Sequence, residues 1–176
     1  TIPEFGEFLR KKTYMLSKSF EEKEEENFKL TFPKFTSSPK AAKQIVKPAN
    51  HEQIIEEINF LKEGDYQLLQ SKNYRVFLVT AEKIPNILHE IGRLREITFR
   101  EVGEGTNEAI DLDKYDQYYH HMFLWDDDAQ MIAGAYRMGF GSKIFPKYGL
   151  DGFYLNELFK FEPELNDMMS QSIEMG

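Results

Sequence analysis

His120-His121-Met122-Phe123-Leu124-Trp125, then Asp126-Asp127-Asp128-Ala129, then Met131-Ile132-Ala133-Gly134-Ala135-Tyr136-Arg137-Met138 decides the fold class of this chain. Two runs rich in aromatic and branched residues flank a short polar segment, which is the pattern of a hairpin. We assign strands to 120–125 and 131–138 and a tight turn to the three aspartates. Successive side chains on a strand point to opposite faces, so His120 and His121 are not two ligands of one metal ion.

Outward on the N-terminal side, a polar loop spans Gly103 to Lys114 and a helix spans 82–101. Pro85 falls in the first turn of that helix, where its missing N–H costs little. Ile84, Leu88, Ile91 and Leu94 make its apolar stripe. An earlier pair of strands, Tyr66–Gln70 and Tyr74–Thr80, is joined by Lys72-Asn73, with Asn73 tolerating a positive φ. Before them Asn50 caps a helix whose Ile54, Ile55, Ile58 and Leu61 recur at helical spacing until Gly64-Asp65 stops it. On the C-terminal side, the chain from Ile144 on reads as helical or irregular, with apolar positions at Leu155, Leu158, Phe159, Leu165, Met168 and Met169. The order helix, hairpin, helix, hairpin, helix is that of an α+β fold.

Residues 1–40 read differently. The run Glu21-Glu22-Lys23-Glu24-Glu25-Glu26 is a solvated, charged helical face, and Phe32-Pro33-Lys34-Phe35-Thr36-Ser37-Ser38-Pro39 is a linker. The domain boundary therefore falls near residue 40, leaving 41–176 as the folded part.

A length of 176 residues allows one domain with an appendage, and 41% hydrophobic residues suffice for its core. The net charge of −8 argues against a nucleic-acid partner, which requires clustered Lys and Arg. With no Cys, thiolate metal sites, disulfides and a cysteine nucleophile are excluded. No apolar run reaches the roughly 20 residues that span a bilayer, and the N-terminus has no signal-peptide pattern, so a soluble, cytoplasmic protein is expected.

The chemistry concentrates between Arg95 and Arg137. Arg95 and Phe99 share a helix face. The following loop carries Asp111, Asp113 and Asp116, three carboxylates that repel one another unless cations meet them. Arg95 and Arg137 are the candidates, because a guanidinium fork matches a carboxylate bidentately. The three aspartates lack the glycine and distal glutamate of a calcium loop, and no metal is expected there. Gly103-Glu104-Gly105-Thr106 is too short for a phosphate loop.

Arg95-x-x-x-Phe99, Asp111-x-Asp113-Lys114-Tyr115-Asp116, Gly134-x-x-Arg137 and Glu174-Met175-Gly176 together resemble one acyltransferase group of the GNAT superfamily. It comprises the acyl-homoserine-lactone synthases and the hemolysin-like N-acyltransferases that begin ornithine- and glycine-lipid synthesis. The resemblance covers roughly residues 75–176. It differs from the lactone synthases in having Asp111 where they have Glu. It also lacks their tryptophan before the acidic loop, since the only Trp is Trp125. Both differences favour the lipid-forming branch.

The resemblance implies a fatty acyl chain carried as a thioester on acyl carrier protein, an amino-acid acceptor and no further cofactor. It implies that Glu174 is the base and that Arg137 acts with it in catalysis. Arg95, Phe99, Asp111, Asp113 and Asp116 would bind the acceptor amine, with Phe99 as packing. It further implies peripheral contact with the inner membrane surface, and an acyltransferase domain ahead of residue 1 whose tail is 1–40. Residues 41–176 would be the N-terminal portion of a GNAT-like domain, incomplete at the C-terminus because the thioester-holding strands follow Gly176. On that expectation the 176-residue piece is inactive alone. Two other readings remain at this stage: a lactone-type signal synthase, and a non-catalytic GNAT-like module that binds acyl carrier protein or the membrane surface. His121-x4-Asp126 matches the spacing of a glycerolipid acyltransferase motif, but it lies on a strand running into a turn and is set aside.

Overall fold

The computed structural model describes residues 41–176; the charged segment and linker read at 1–40 lie outside the described residues. The described part is α+β and is built on one antiparallel five-stranded sheet in the order β1-β2-β3-β4-β5. The strands are β1 (Gln67–Ser71), β2 (Tyr74–Thr80), β3 (His120–Asp126), β4 (Met131–Phe140) and β5 (Ile173–Met175). The two hairpins join directly because β2 pairs with β3 in unbroken register from Tyr74↔Asp126 to Thr80↔His120.

Two helices, α1 (His51–Glu63) and α2 (Pro85–Glu101), cover one face. Ile54, Ile58 and Leu61 of α1 meet Ile87 and Ile91 of α2 over Phe77, Val79, Phe123, Trp125 and Ile132 of the sheet. Period two on the strands and period 3.6 on the helices put these residues on facing surfaces. Asn50 caps α1 by accepting from Glu52 N at 2.8 Å. The N-terminus of α2 is capped by Glu57 of α1, which accepts from Asn86 N at 2.9 Å and Ile87 N at 2.8 Å. One carboxylate thus fixes the spacing of the two helices and satisfies orphan N–H groups.

Several local expectations shift. The positive φ in the first hairpin falls on Lys72 rather than Asn73, because both mirror-type hairpin turns need it at the first central residue. Residues 81–83 form a 3-10 turn, so α2 starts at Pro85 and Ile84 reaches the core from the cap position. The stripe then runs Ile87, Ile91, Leu94, and Leu88 falls outside the core. The C-terminal third contains α3 (Gly141–Tyr148), α4 (Leu155–Leu158) and α5 (Asn166–Ser170), as short helical pieces. It also contains β5, a strand not foreseen, which aligns Glu174 with Gly139 on β4. No helix among the described residues is long and apolar enough to cross a membrane.

Candidate active site

The loop after α2 is bound to that helix at several points. Gly92 leaves room for Leu112, whose Cγ would lie 2.5 Å from a Cβ built at position 92, and Gly92 O accepts from Asp111 N at 3.1 Å. One turn further on, the fully buried Glu96 accepts from Thr106 N at 3.1 Å and Thr106 Oγ1 at 2.6 Å, and pairs with Arg100. Its burial raises the cost of ionisation, but the bonds from Thr106 and Arg100 overcome this and hold the carboxyl below its usual range. Glu96 was not among the residues singled out from sequence. One glutamate among the three of an amphipathic helix carries no signal that it will be buried.

These anchors bring the three aspartates under two arginines. Asp116, almost completely buried, stands between both guanidiniums: Arg95 Nη1 donates to its Oδ1 at 2.8 Å and Arg137 Nη1 to its Oδ2 at 3.4 Å. Arg95 also holds Asp111, with Nη2 to Oδ1 and Nε to Oδ2 both at 3.2 Å. Arg137 holds Asp113 at 2.7 Å. The loop closes on itself as Asp113 accepts from Tyr115 N at 2.7 Å and donates its own N–H to Asp116 at 2.8 Å. Every charged residue expected from sequence at the acceptor side is therefore in one network.

The environments of the aspartates differ. Burial pushes Asp113 up, but the hydrogen bond and charge of Arg137 with two backbone N–H groups hold it below the usual carboxylate range. Burial also pushes Asp111 up, and there the neighbouring Asp116 and Glu96 reinforce burial against Arg95, leaving it above that range.

A second frame surrounds Arg137. The rings of Tyr154, Tyr115 and Tyr119 lie 5.0, 5.7 and 5.8 Å from its guanidinium carbon, close enough for cation–π attraction. Glu174 faces this frame from β5, and its carboxylate accepts from the Tyr119 hydroxyl, from Tyr154 N at 3.1 Å and from Leu155 N at 2.8 Å. Glu174 thus ties β5 to the segment before α4, and no direct bond joins it to the Asp–Arg network. Gly139, opposite Glu174, lets Tyr119 approach: a Cβ there would lie 2.7 Å from the ring.

Phe99 is 40% exposed and lines a groove of about 360 Å³ between α2 and β4. Arg95 stands in its wall with Ile91, Leu94 and Thr98, and Ala133-Gly134-Ala135 form its floor. Small residues keep that floor low, and a bulge between Leu124 and Trp125 sets its register. His121, set aside on sequence, faces the same side as Arg137, its ladder partner, and its Nε2 lies 2.8 Å from Asp116 O. The alternation along β3 with Phe123 and Trp125 was the signal that placed it there. No group of three or more His, Asp or Glu side chains suited to a metal ion occurs among the described residues.

Residues 94–176, which carry the acidic loop, the second hairpin and the edge strand, match the family described as the acetyltransferase (GNAT) domain, and this part of the chain belongs to the GNAT acyltransferase family. Among characterised relatives it is similar to the glycine N(alpha)-acyltransferase of Bacteroides thetaiotaomicron, 30% identical over 138 residues, covering 76% of this chain and 40% of that protein. It is equally similar to the glycine N(alpha)-acyltransferase of Phocaeicola vulgatus, 30% identical over 138 residues, covering 76% of this chain and 42% of the relative. The chain thus spans about two fifths of the length of the curated relatives it matches. No solved structure matches it.

Proposed function

We propose that this chain carries the acceptor side of an N-acyltransferase that joins a fatty acyl group to the amine of a small amino acid, with glycine the first candidate. The observation that carries this reading is the network of Asp111, Asp113 and Asp116 with Arg95 and Arg137, beside the groove lined by Phe99. Three carboxylates against two guanidiniums leave one negative charge in excess. That excess suits an ammonium and disfavours an incoming anion.

The excess is concentrated at Asp111, which pairs with Arg95 and whose carboxyl burial pushes upward. An acceptor ammonium beside Asp111 relieves that cost, and binding is favoured by the same amount. Asp113 and Asp116 fix Arg137, and through it the end of β4. The amine, once deprotonated, attacks the thioester carbonyl, and the thiol of the carrier leaves. The names of the two relatives support glycine as acceptor, and acyl carrier protein is the donor that the motif resemblance supports. The product, an acylated amino acid, is an amphiphile, which supports release at the inner membrane surface.

The test uses the full-length protein with acyl carrier protein thioester and a panel of amines, with products separated by mass. N-acylglycine is the expected product. Acylated ornithine would keep the reaction and change the acceptor, and acylation of S-adenosylmethionine alone would move the protein to signal synthesis. Absence of any acylated amine removes the reading.

A further inference from the structure

His121 is a buried titratable side chain set against the Asp–Arg network, with no task yet in the acyl transfer. Its ring is 1% exposed and sits in the ladder between Val79 and Arg137. The charged groups that face it are Asp116 from the loop, Arg95 from α2 and Arg137 from β4, with Asp111 and Asp113 behind them; His120 turns to the other sheet face.

Two observations fix its chemical state. Nε2 lies 2.8 Å from Asp116 O, and a carbonyl oxygen only accepts, so Nε2 carries the hydrogen and Nδ1 the lone pair. Burial first, and then Arg95 and Arg137, depress its pKa more than the carbonyl bond and the Asp116 carboxylate raise it. The ring is therefore neutral at physiological pH, with its basic nitrogen at Nδ1.

The ring lines a cleft of about 20 Å³ with Ile91, Arg95, Ala135, Arg137 and Gly176. That is room for roughly one water, which takes at least ~10–15 Å³. Ile91, Arg95 and Ala135 also wall the larger groove, so cleft and groove are adjacent. The carboxylates are otherwise engaged: Glu174 by three donors, and Asp113 and Asp116 by Arg137 and by backbone or Arg95 donors. The neutral ring, by contrast, carries its lone pair at Nδ1 and can accept a proton there.

We propose that His121 takes the proton from the acceptor's ammonium, through one water in this cleft. The proposal rests on the N-acyltransferase reading above. In the balanced step, one ammonium proton passes through the water to Nδ1, leaving a neutral amine. The nitrogen lone pair forms the C–N bond at the thioester carbonyl, and the C–S bond breaks as the tetrahedral centre collapses. The nitrogen's second proton passes to the departing thiolate, giving the thiol, and His121 returns its proton to solvent.

The experiment compares full-length wild type with His121→Gln, whose side-chain N–H still reaches Asp116 O but which has no basic nitrogen. We expect kcat to fall on the order of a hundredfold or more, the usual worth of a general base, with the KM for glycine little changed. We also expect the acidic limb of the wild-type kcat–pH profile, lying below the ordinary histidine range, to disappear. A variant with wild-type kcat and the same limb overturns the proposal, whereas a wild type that acylates no amine overturns the N-acyltransferase reading instead. Nitrogen NMR of histidine-labelled wild type decides the matter even where the variant fails to fold. The Nε2–H tautomer of His121 is required, and an Nδ1–H tautomer or an imidazolium at neutral pH overturns the proposal.

Discussion

The two cores of this molecule are built from different residues for different tasks. Under α1 and α2 the contacts are Ile54, Ile58, Ile84, Ile87 and Ile91 against Phe77 and Phe123, all hydrocarbon. Around Arg137 they are Tyr115 and Tyr119 with Phe153, Ile144 and Met169, and Tyr154 packs alongside. The first core requires only apolar volume in the right place. In the second, three phenols need and find acceptors: Tyr115 donates to Glu157 at 2.7 Å, Tyr118 to Gly152 O at 2.9 Å and Tyr119 to Glu174. The hydrocarbon core provides stability. The tyrosine core holds a guanidinium in a fixed place while keeping its charge attractive to carboxylates and rings.

If that division is right, damage to the two cores separates stability from activity. Phe77→Ala removes a side chain with no exposed surface from the hydrocarbon core. It is expected to cost about 3–5 kcal/mol, read as a lower denaturant midpoint at unchanged slope. The kcat/KM of the fraction still folded stays at the wild-type value. A large fall in kcat/KM with an unchanged midpoint would break the comparison. Arg137→Lys is the converse. It keeps the charge but loses the planar fork that meets Asp113 and Asp116 and the face that meets Tyr154. A fall in kcat/KM on the order of a hundredfold, about 2.7 kcal/mol, is expected with a near-native midpoint. Retained activity would show that a point charge is enough and that the tyrosine frame has no orienting role.

The same division explains what sequence could and could not reveal. The hydrocarbon core repeats with the period of its elements, so Ile54, Ile58 and Ile91 were legible one element at a time, as were both hairpins. The Asp–Arg network was legible as well, because like charges crowded at 111, 113 and 116 require cations and Arg95 and Arg137 were at hand. Leu88 was misplaced because a single turn of 3-10 helix at 81–83 shifts the phase of α2. The tyrosine core was illegible, since Tyr115, Tyr119 and Tyr154 come from a loop, the residue before β3 and the start of a four-residue helix, with no common period. β5 escaped for a related reason. Three residues carry no alternation to read, and it is fixed by pairing to β4 and by the bonds of Glu174 to backbone far away in sequence. His121 lay between these cases. Its face followed from β3, but its neighbours depended on the β3–β4 register.

The smallest expected effect is at the seam between the two cores, where Asp111 bonds to α2 through its backbone and to Arg95 through its side chain. Burial, with Asp116 and Glu96, lifts its carboxyl above the ordinary value. A carboxyl whose folded-state pKa exceeds the unfolded one adds stability at low pH and loses it as pH rises through the folded value. At neutral pH the ionised group is thus a cost to the fold. Asp111→Asn is therefore expected to leave the midpoint unchanged or higher at pH 7, an advantage that fades in acid. It is also expected to raise the KM for the acceptor amine about tenfold, or 1.4 kcal/mol. Asp113 has the opposite sign: Arg137 and two backbone N–H groups outweigh its burial and depress it. Its contribution is present above the unfolded pKa and is lost as pH falls through the folded one, so Asp113→Asn lowers the midpoint at pH 7. Two carboxylates two residues apart in one loop should then move stability in opposite directions, and the one whose removal does not harm the fold should be the one that holds the substrate. Parallel shifts in both variants would show that the loop titrates as a unit and that Asp111 has no separate role.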